Sequence, residues 1–355
     1  MLGGGSAQNL AAYDPATNTW SAVGGGVNGS VTALAVYDGE LLVGGNFTRV
    51  GVGTASPQNI AFFARWNGSQ WLAPDPSNPS YLLTGGAPLA FVEFQNKLYL
   101  AGNFTAAYYN ETDKAYLAVW NKAAQRVEAA YPPGQGPDNN IWAAVVWNGA
   151  LYLGGDFSTF GGASGKLVRF DGVQATGVPG APTSGSVRAL LPVGSTLYVA
   201  GSFTTVGGQT VNRIAALSSA GTWSGLGSGL GPTLVRTLAL YNNYLYAGGG
   251  FTADGSGAGL SYLARFSSAT PLVSQKAPSL FVVEVAPRAY ALWAETPLLC
   301  HRLRLINAVG QTLYEEEGRL LQGEYLLPLL PAEGLYFLQV EGAGGEVYTY
   351  RFSTL

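Results

Sequence analysis

Cysteine and histidine are almost missing from this chain of 355 residues, which has one of each, Cys300 and His301. A single cysteine forms neither an internal disulfide nor a thiolate cluster. A single imidazole cannot supply the two or three ligands of most zinc and copper sites. It also leaves no base for a Ser-His pair, and no GxSxG elbow is present. No metal, no cofactor and no catalytic residue is therefore expected. Charge is scarce as well: charged residues make up 11% of the chain, against ~25% in an ordinary soluble protein. The net charge is -3 and basic residues form no stripe, so no nucleic-acid partner is expected. No apolar run approaches the ~18 residues of a membrane helix, and no membrane span is expected. The first residues show neither a basic n-region nor an apolar h-region, so no signal peptide is read there. Low cysteine does not fix the compartment, because many exported bacterial proteins also lack disulfides.

What the chain does have is glycine, 50 residues of it, with 19 prolines, 12% aromatics and 47% hydrophobic residues. Such a chain can build a core. Its glycine points to many short strands joined by tight turns.

Those strands recur. LLVGGNFT (41–48), LYLAGNFT (98–105), LYLGGDFS (151–158), LYVAGSFT (197–204) and LYAGGGFT (245–252) are five versions of one phrase. Their phenylalanines are Phe47, Phe104, Phe157, Phe203 and Phe251. A unit of this length exceeds a solenoid coil of roughly 20–30 residues and suits a propeller blade of ~40–50. An apolar strand precedes each phrase, as in VTALAVY (31–37) and VRALLPV (187–193). Asp38-Gly39, Asn148-Gly149 and Asn242-Asn243 supply hairpin turns between the two strands. A glycine-rich loop then leads to a third strand, such as IAFFARW (60–66) or RIAAL (213–217), and a short fourth strand holds Trp71 or Trp223. The N-terminus enters in mid-repeat. MLGGG (1–5) matches the end of the phrase, and NLAAYDPATNTW (9–20) supplies the third and fourth strands. We therefore expect five full four-stranded blades plus one partial blade, in an N-terminally incomplete, six-bladed β-propeller over residues 1–275. The partial blade should leave its neighbour's edge exposed unless SLFVVEVAP (279–287) fills the gap; we assign that segment to the tail instead.

The repeat stops after Phe266. A polar, proline-containing linker follows. Residues 279–355 then carry nine Glu, no Asp and five Arg, and this shift in composition marks a boundary. Alternating strands over 303–310, 311–315, 323–329, 334–341 and 346–352 predict a small Ig-like β-sandwich of roughly seven short strands over residues 276–355. The fold class is all-β throughout.

Two resemblances follow from these residues. The Gly-Gly doublet with YDPATNTW (13–20) resembles the kelch-like propeller repeat, which galactose-oxidase-type copper enzymes share. The longer LYxGGxFT phrase is similar to repeats of large surface proteins, among them fungal cortical polarity markers and bacterial secreted proteins. The copper chemistry of galactose oxidase needs imidazoles and a cysteine crosslinked to tyrosine, and here the single His and Cys sit side by side in the tail. The tail resembles the C-terminal sorting domain of type IX secretion cargo. The matching residues are Gly310, Gln311, Leu327, Leu330, Gly334, Tyr336, Val340 and the terminal EVYTYRF; VAPRA (285–289) departs from the usual Pro-Asn-Pro, and no terminal lysine is present. That resemblance implies a Bacteroidetes-type cell, recognition of the tail by the type IX translocon, and a secreted or outer-surface location.

Chemistry is harder to find. Glycosidases need two carboxylates across a cleft. The repeat region holds Glu40, Glu93, Glu111, Glu128 and eight Asp. Asp14, Asp38 and Asp171 sit at turns and read as structural. Asp156 replaces Asn, Ser or Gly inside the GGxF phrase and is a candidate ligand contact. Tyr108 and Tyr109 in the long loop TAAYYNETDKAY (105–116) are two more. Five N-x-Ser/Thr sequons, at Asn28, Asn46, Asn67, Asn103 and Asn110, read as local structure rather than glycan sites. The favoured function is a non-enzymatic surface propeller that binds an unidentified protein or polysaccharide. The alternatives are a secreted carbohydrate-active enzyme using the propeller face, and a eukaryotic cell-wall polarity protein.

Overall fold

The computed structural model describes residues 8–77, 79, 83–107, 112–242, 244–266, 280–286, 289–307, 311–328, 334–342 and 347–354. The chain divides into two compact units, Met1–Ser267 and Ser268–Leu355. The expected boundary at 275/276 lies outside the described residues.

The first unit is a succession of antiparallel sheets. A hairpin of Ala11–Asp14 and Thr19–Ala22 comes first. Four four-stranded sheets follow, with inner strands Ser30–Tyr37, Pro88–Phe94, Ile141–Trp147 and Val187–Val193. A fifth sheet has three described strands, led by Val235–Tyr241. Its expected fourth strand falls among residues outside the described ones. Inner strands of consecutive sheets lie side by side. Each core layer sits between two sheets: Leu42 and Phe63 meet Leu98 and Trp120, Tyr99 meets Phe170, and Trp147 and Tyr152 pack with Leu197 and Val199. This repeated face-to-face stacking is β-propeller architecture.

The turns behave as their residues demand. Asp38 and Gly39 have φ of 48° and 76°, and Asn148 and Gly149 have 46° and 71°, the left-handed pair of a tight hairpin. Gln95-Asn96 does the same at 51° and 58°, a turn that the sequence did not advertise.

Two further features explain the repeated phrase. The second glycine of each doublet (Gly45, Gly102, Gly155, Gly201 and Gly249) lies against the carbonyl oxygen at or just before the start of its inner strand, and a Cβ there would collide with it. The first position, where it is glycine (Gly44, Gly154 and Gly248), faces side-chain atoms first rather than a carbonyl, and Ala101 and Ala200 occupy it in two sheets. The residue entering the third strand is left-handed although it is bulky: Phe62, Tyr116, Arg213 and Tyr262 have φ of 63–65°. Each donates its N–H to the carbonyl of the phrase phenylalanine, and its own carbonyl accepts from the second glycine. This double clamp holds a conformation that costs about 1–2 kcal/mol. All five phrase phenylalanines are buried.

Among the described residues the interior sheets are covered on both faces, and the first and fifth sheets expose apolar side chains on one. Val36 on the first inner strand is 78% exposed, and Leu263 in the fifth sheet is 63% exposed. Ile214, which occupies the position of Leu263 in the fourth sheet, is 4% exposed.

The second unit is one antiparallel sheet with five described strands. Two are much longer than the short strands expected: Ala289–Asn307 and Thr312–Leu326. Leu280–Ala286 pairs with the first half of Ala289–Asn307, and Gly334–Gly342 pairs with its second half. The register breaks between Ala294 and Leu298, where Pro297 cannot donate to the ladder. The glutamates that lower the charge of this unit have a cross-strand use: Arg302 and Arg304 reach Glu315, and Arg302 also reaches Glu317 and Glu341. Val347–Thr354 pairs along Gly334–Glu341, and Tyr336 is buried opposite Phe352.

Candidate functional site

Every inner strand carries the same irregularity. The register slips by one residue between Val31 and Ala33, Pro88 and Ala90, Ile141 and Ala143, Val187 and Ala189, and Val235 and Thr237. The five extra residues are Thr32, Leu89, Trp142, Arg188 and Arg236. A bulge leaves one residue out of the ladder and re-aims its side chain. None of these five is buried. Because inner strands are neighbours, the bulges form a row.

The row is polar at one end. The Arg188 guanidinium lies over the Trp142 ring, 3.8 Å from its centre. Trp142 Nε1 donates to Asp156 Oδ2 at 2.6 Å. Arg188 Nη2 reaches Asp156 Oδ1 at 3.4 Å, and Arg188 Nε donates to Ser186 Oγ at 3.0 Å. Lys166 Nζ donates to the Asp156 carbonyl and to Ser158 Oγ, both neutral acceptors. Burial pulls the pKa of Arg188 below its ordinary value; Asp156 opposes this, and the like charge of Arg236 adds to it. Arg236 is exposed and has no ion pair among the described residues. The cluster therefore carries three cations and one carboxylate.

Asp156 departs from its sisters in what it binds. Asn103 Oδ1 accepts the N–H of Ala87, and Ser202 Oγ accepts that of Ser186, both just before an inner strand. Asp156 points instead at Trp142 and Arg188. Sequence reading singled out Asp156 but missed both partners; the signal was the residue after the first apolar residue of each inner strand, which varies from Thr to Leu, Trp and Arg.

The remaining candidates are quickly placed. Tyr108 and Tyr109 lie outside the described residues, as do Gly310 and Leu330. Gln311 donates its N–H to Asn307 Oδ1 at the turn between two tail strands. Gly334 pairs with Thr354. Asp171 caps its own turn through the N–H groups of Val173 and Gln174, which hold its carboxyl below the usual range. Asp14 accepts from Thr17 and Ala16, and Asp38 pairs with Lys122. Asn67 spends its side-chain oxygen on the N–H groups of Ser69 and Gln70 in its own turn, and Asn28 spends its on those of Thr48 and Arg49, after the phrase of the same sheet. Among the described residues no three His, Cys, Asp or Glu gather as a metal site. Among the described residues no helix is long and apolar enough to cross a membrane. A cavity of about 230 Å³ between the fourth and fifth sheets, lined by Leu226, Leu245 and Phe266 together with Ser228, Asp254 and Arg265, includes none of the five bulge residues.

Fold and repeat together define a β-propeller protein. A family described as a domain of unknown function (DUF5122) beta-propeller matches residues 196–222, one phrase and the third strand after it. No curated protein matches the chain. Among solved structures, the extracellular domain of the one-component system BT4673 of B. thetaiotaomicron is 11% identical with a TM-score of 0.45, over 98% of this chain and 48% of that one. A second structure of a BT4673 extracellular domain, there described as a hybrid two-component system, gives 11% and 0.43. This chain thus spans about half the length of those domains. The Bombyx mori GH32 beta-fructofuranosidase BmSUC1 is 10% identical with a TM-score of 0.26, over 92% of this chain and 74% of that one.

Proposed function

We propose that this chain is a non-enzymatic binding propeller of six blades, displayed outside a Bacteroidetes-type cell and exported by type IX secretion. The observation that carries the binding reading is the bulge row. It gathers cations and an indole whose positions the core does not require. Asp156, the carboxylate in the cluster, faces Trp142 and Arg188 rather than a second carboxylate, so the cluster suits holding a ligand better than cleaving a glycosidic bond.

The tail, residues 276–355, is the export address in this reading, and the Ig-like sandwich expected of it requires its two long strands to bend at the register break between Ala294 and Leu298. The support is the resemblance at Gly310, Gln311, Leu330, Gly334 and Tyr336, together with a final strand fixed by pairing. A sorting signal read by a translocon needs a defined surface. Fusing residues 276–355 to a periplasmic reporter in a type IX-competent host should send the reporter out, and deleting them should trap the propeller in the periplasm. A retained reporter together with an exported truncation would overturn the export reading.

A further inference from the structure

We propose that the Arg188–Arg236 end of the bulge row binds the oxyanion groups, carboxylate or sulfate, of an acidic polysaccharide. The inference rests on the binding reading above and names the ligand class for that site.

The cations are arranged for an anion rather than for the fold. Arg188 is held flat by stacking on Trp142 and fixed along one edge by Ser186 and Asp156. Its Nη1 donates to nothing among the described residues. A planar guanidinium held in this way presents paired N–H groups that match the two oxygens of a carboxylate or sulfate. Its contact to Asp156 is 3.4 Å, longer than a strong charge-assisted bond, so Asp156 orients Arg188 without saturating it. Arg236 comes from the next inner strand and sits close enough for its charge to act on Arg188. Asp156 offsets only part of this repulsion, since it pairs with Arg188 and not with Arg236, and an anion between the two arginines removes what remains.

The rest of the row suggests what carries the anion. Past Arg188 the row continues through Trp142 and Leu89 to Thr32, whose hydroxyl donates to the Pro88 carbonyl at 2.7 Å. Charge at one end and an apolar run beyond it suit a sugar chain, whose rings pair polar edges with C–H faces that pack on indole. Nucleic acid would need a longer basic track than two arginines and a lysine. The chain's net charge of -3 also opposes a general polyanion sink.

Affinity electrophoresis of the full chain tests this, with gels containing polygalacturonate (carboxylate), dextran sulfate (sulfate) or neutral dextran. Retardation should appear with at least one charged polymer, be absent with neutral dextran, and weaken as salt rises. Arg236→Gln should weaken it about tenfold, and Trp142→Leu should do so by releasing Arg188. Arg49→Gln, an exposed arginine after the phrase of the first sheet that is not one of the five bulge residues, should leave it unchanged. Whichever charged polymer is retained identifies the oxyanion. Equal losses for Arg49→Gln and Arg236→Gln would mean charge alone and would overturn the site. Binding to neutral dextran that survives Arg236→Gln would overturn the anion class and leave a binding propeller standing. Binding to none of the three would overturn the acidic-polysaccharide assignment, while a protein ligand captured through Trp142 would still support the broader reading.

Discussion

Arg188 and Trp142 belong to adjacent sheets and stand 46 positions apart in the chain, yet the guanidinium of one lies 3.8 Å from the ring centre of the other. Both are the extra residue of a bulge. The contact joins two sheets at their inner edge. Trp142→Leu should lower stability by about 1–2 kcal/mol in urea denaturation. Trp142→Phe should keep the stacking but lose the bond to Asp156, and so fall between. Equal stability of all three proteins would show that the pair contributes nothing to the fold.

The doublet glycines separate into two classes. Gly201→Ala pushes a methyl into the Ser186 carbonyl and should cost about 3 kcal/mol or more. Gly44→Ala meets side-chain atoms of Phe91 and Pro88 at 3.1 Å, which can yield, and should cost under about 1 kcal/mol. Urea midpoints of the two variants read the difference directly. Similar midpoints would refute the close-approach explanation.

Tyr262 is left-handed at φ 63° and 61% exposed, so it bears strain with little packing in return. Tyr262→Asn should raise stability by up to about 1 kcal/mol, since asparagine tolerates this conformation. The same change at Tyr116, which packs against a core layer, should not. A melting-temperature series over the two variants checks this.

Asp138 is partly buried, which raises its pKa, but the N–H groups of Ser158 and Thr159 outweigh that and hold it below the ordinary value. A depressed folded pKa gives stability that is present above the unfolded value near 3.9 and lost as pH falls through the folded one. Asn28 makes the matching pair of bonds to Thr48 and Arg49 in the first sheet. Asp138→Asn should therefore fold normally and be slightly less stable at pH 7. The gap to the parent protein should close between about pH 5 and pH 2. A gap that stays constant with pH would exclude the carboxylate as the cause.

Leu34 and Val36 face solvent, whereas Leu190 occupies the position of Leu34 in a covered sheet. Exposed apolar strand faces promote association. Replacing Leu34 by Thr and Val36 by Lys should reduce the apparent mass in light scattering at high concentration without lowering the melting temperature. A fall in stability instead would show that these side chains are structurally engaged.

Much of the fold was written in the chain. The phrase with its glycine doublet, the Asp-Gly and Asn-Gly turns and the returning tryptophans specify antiparallel sheets of one kind in succession, because each acts through its own backbone or its nearest strand. Sequence also singled out Asp156, by comparing one position across repeats. It did not show that Gln95-Asn96 makes the same turn, nor that Phe62, Tyr116, Arg213 and Tyr262 must be left-handed, because neither a left-handed glutamine opening a turn nor a bulky left-handed residue follows from propensity. The tail's two long strands were also read as several short ones, since Pro297 and Gly318 interrupt the alternation without ending the pairing.

The bulge row is what tertiary structure alone decided. A bulge shifts the register by one residue, and this moves a side chain out of the alternation that sequence periodicity reports. The partners it then meets come from the next sheet, as Trp142 meets Arg188 and Arg188 nears Arg236. Local chemistry sets the strands and turns. Only the stacking of one sheet on the next sets which charges and rings share a site.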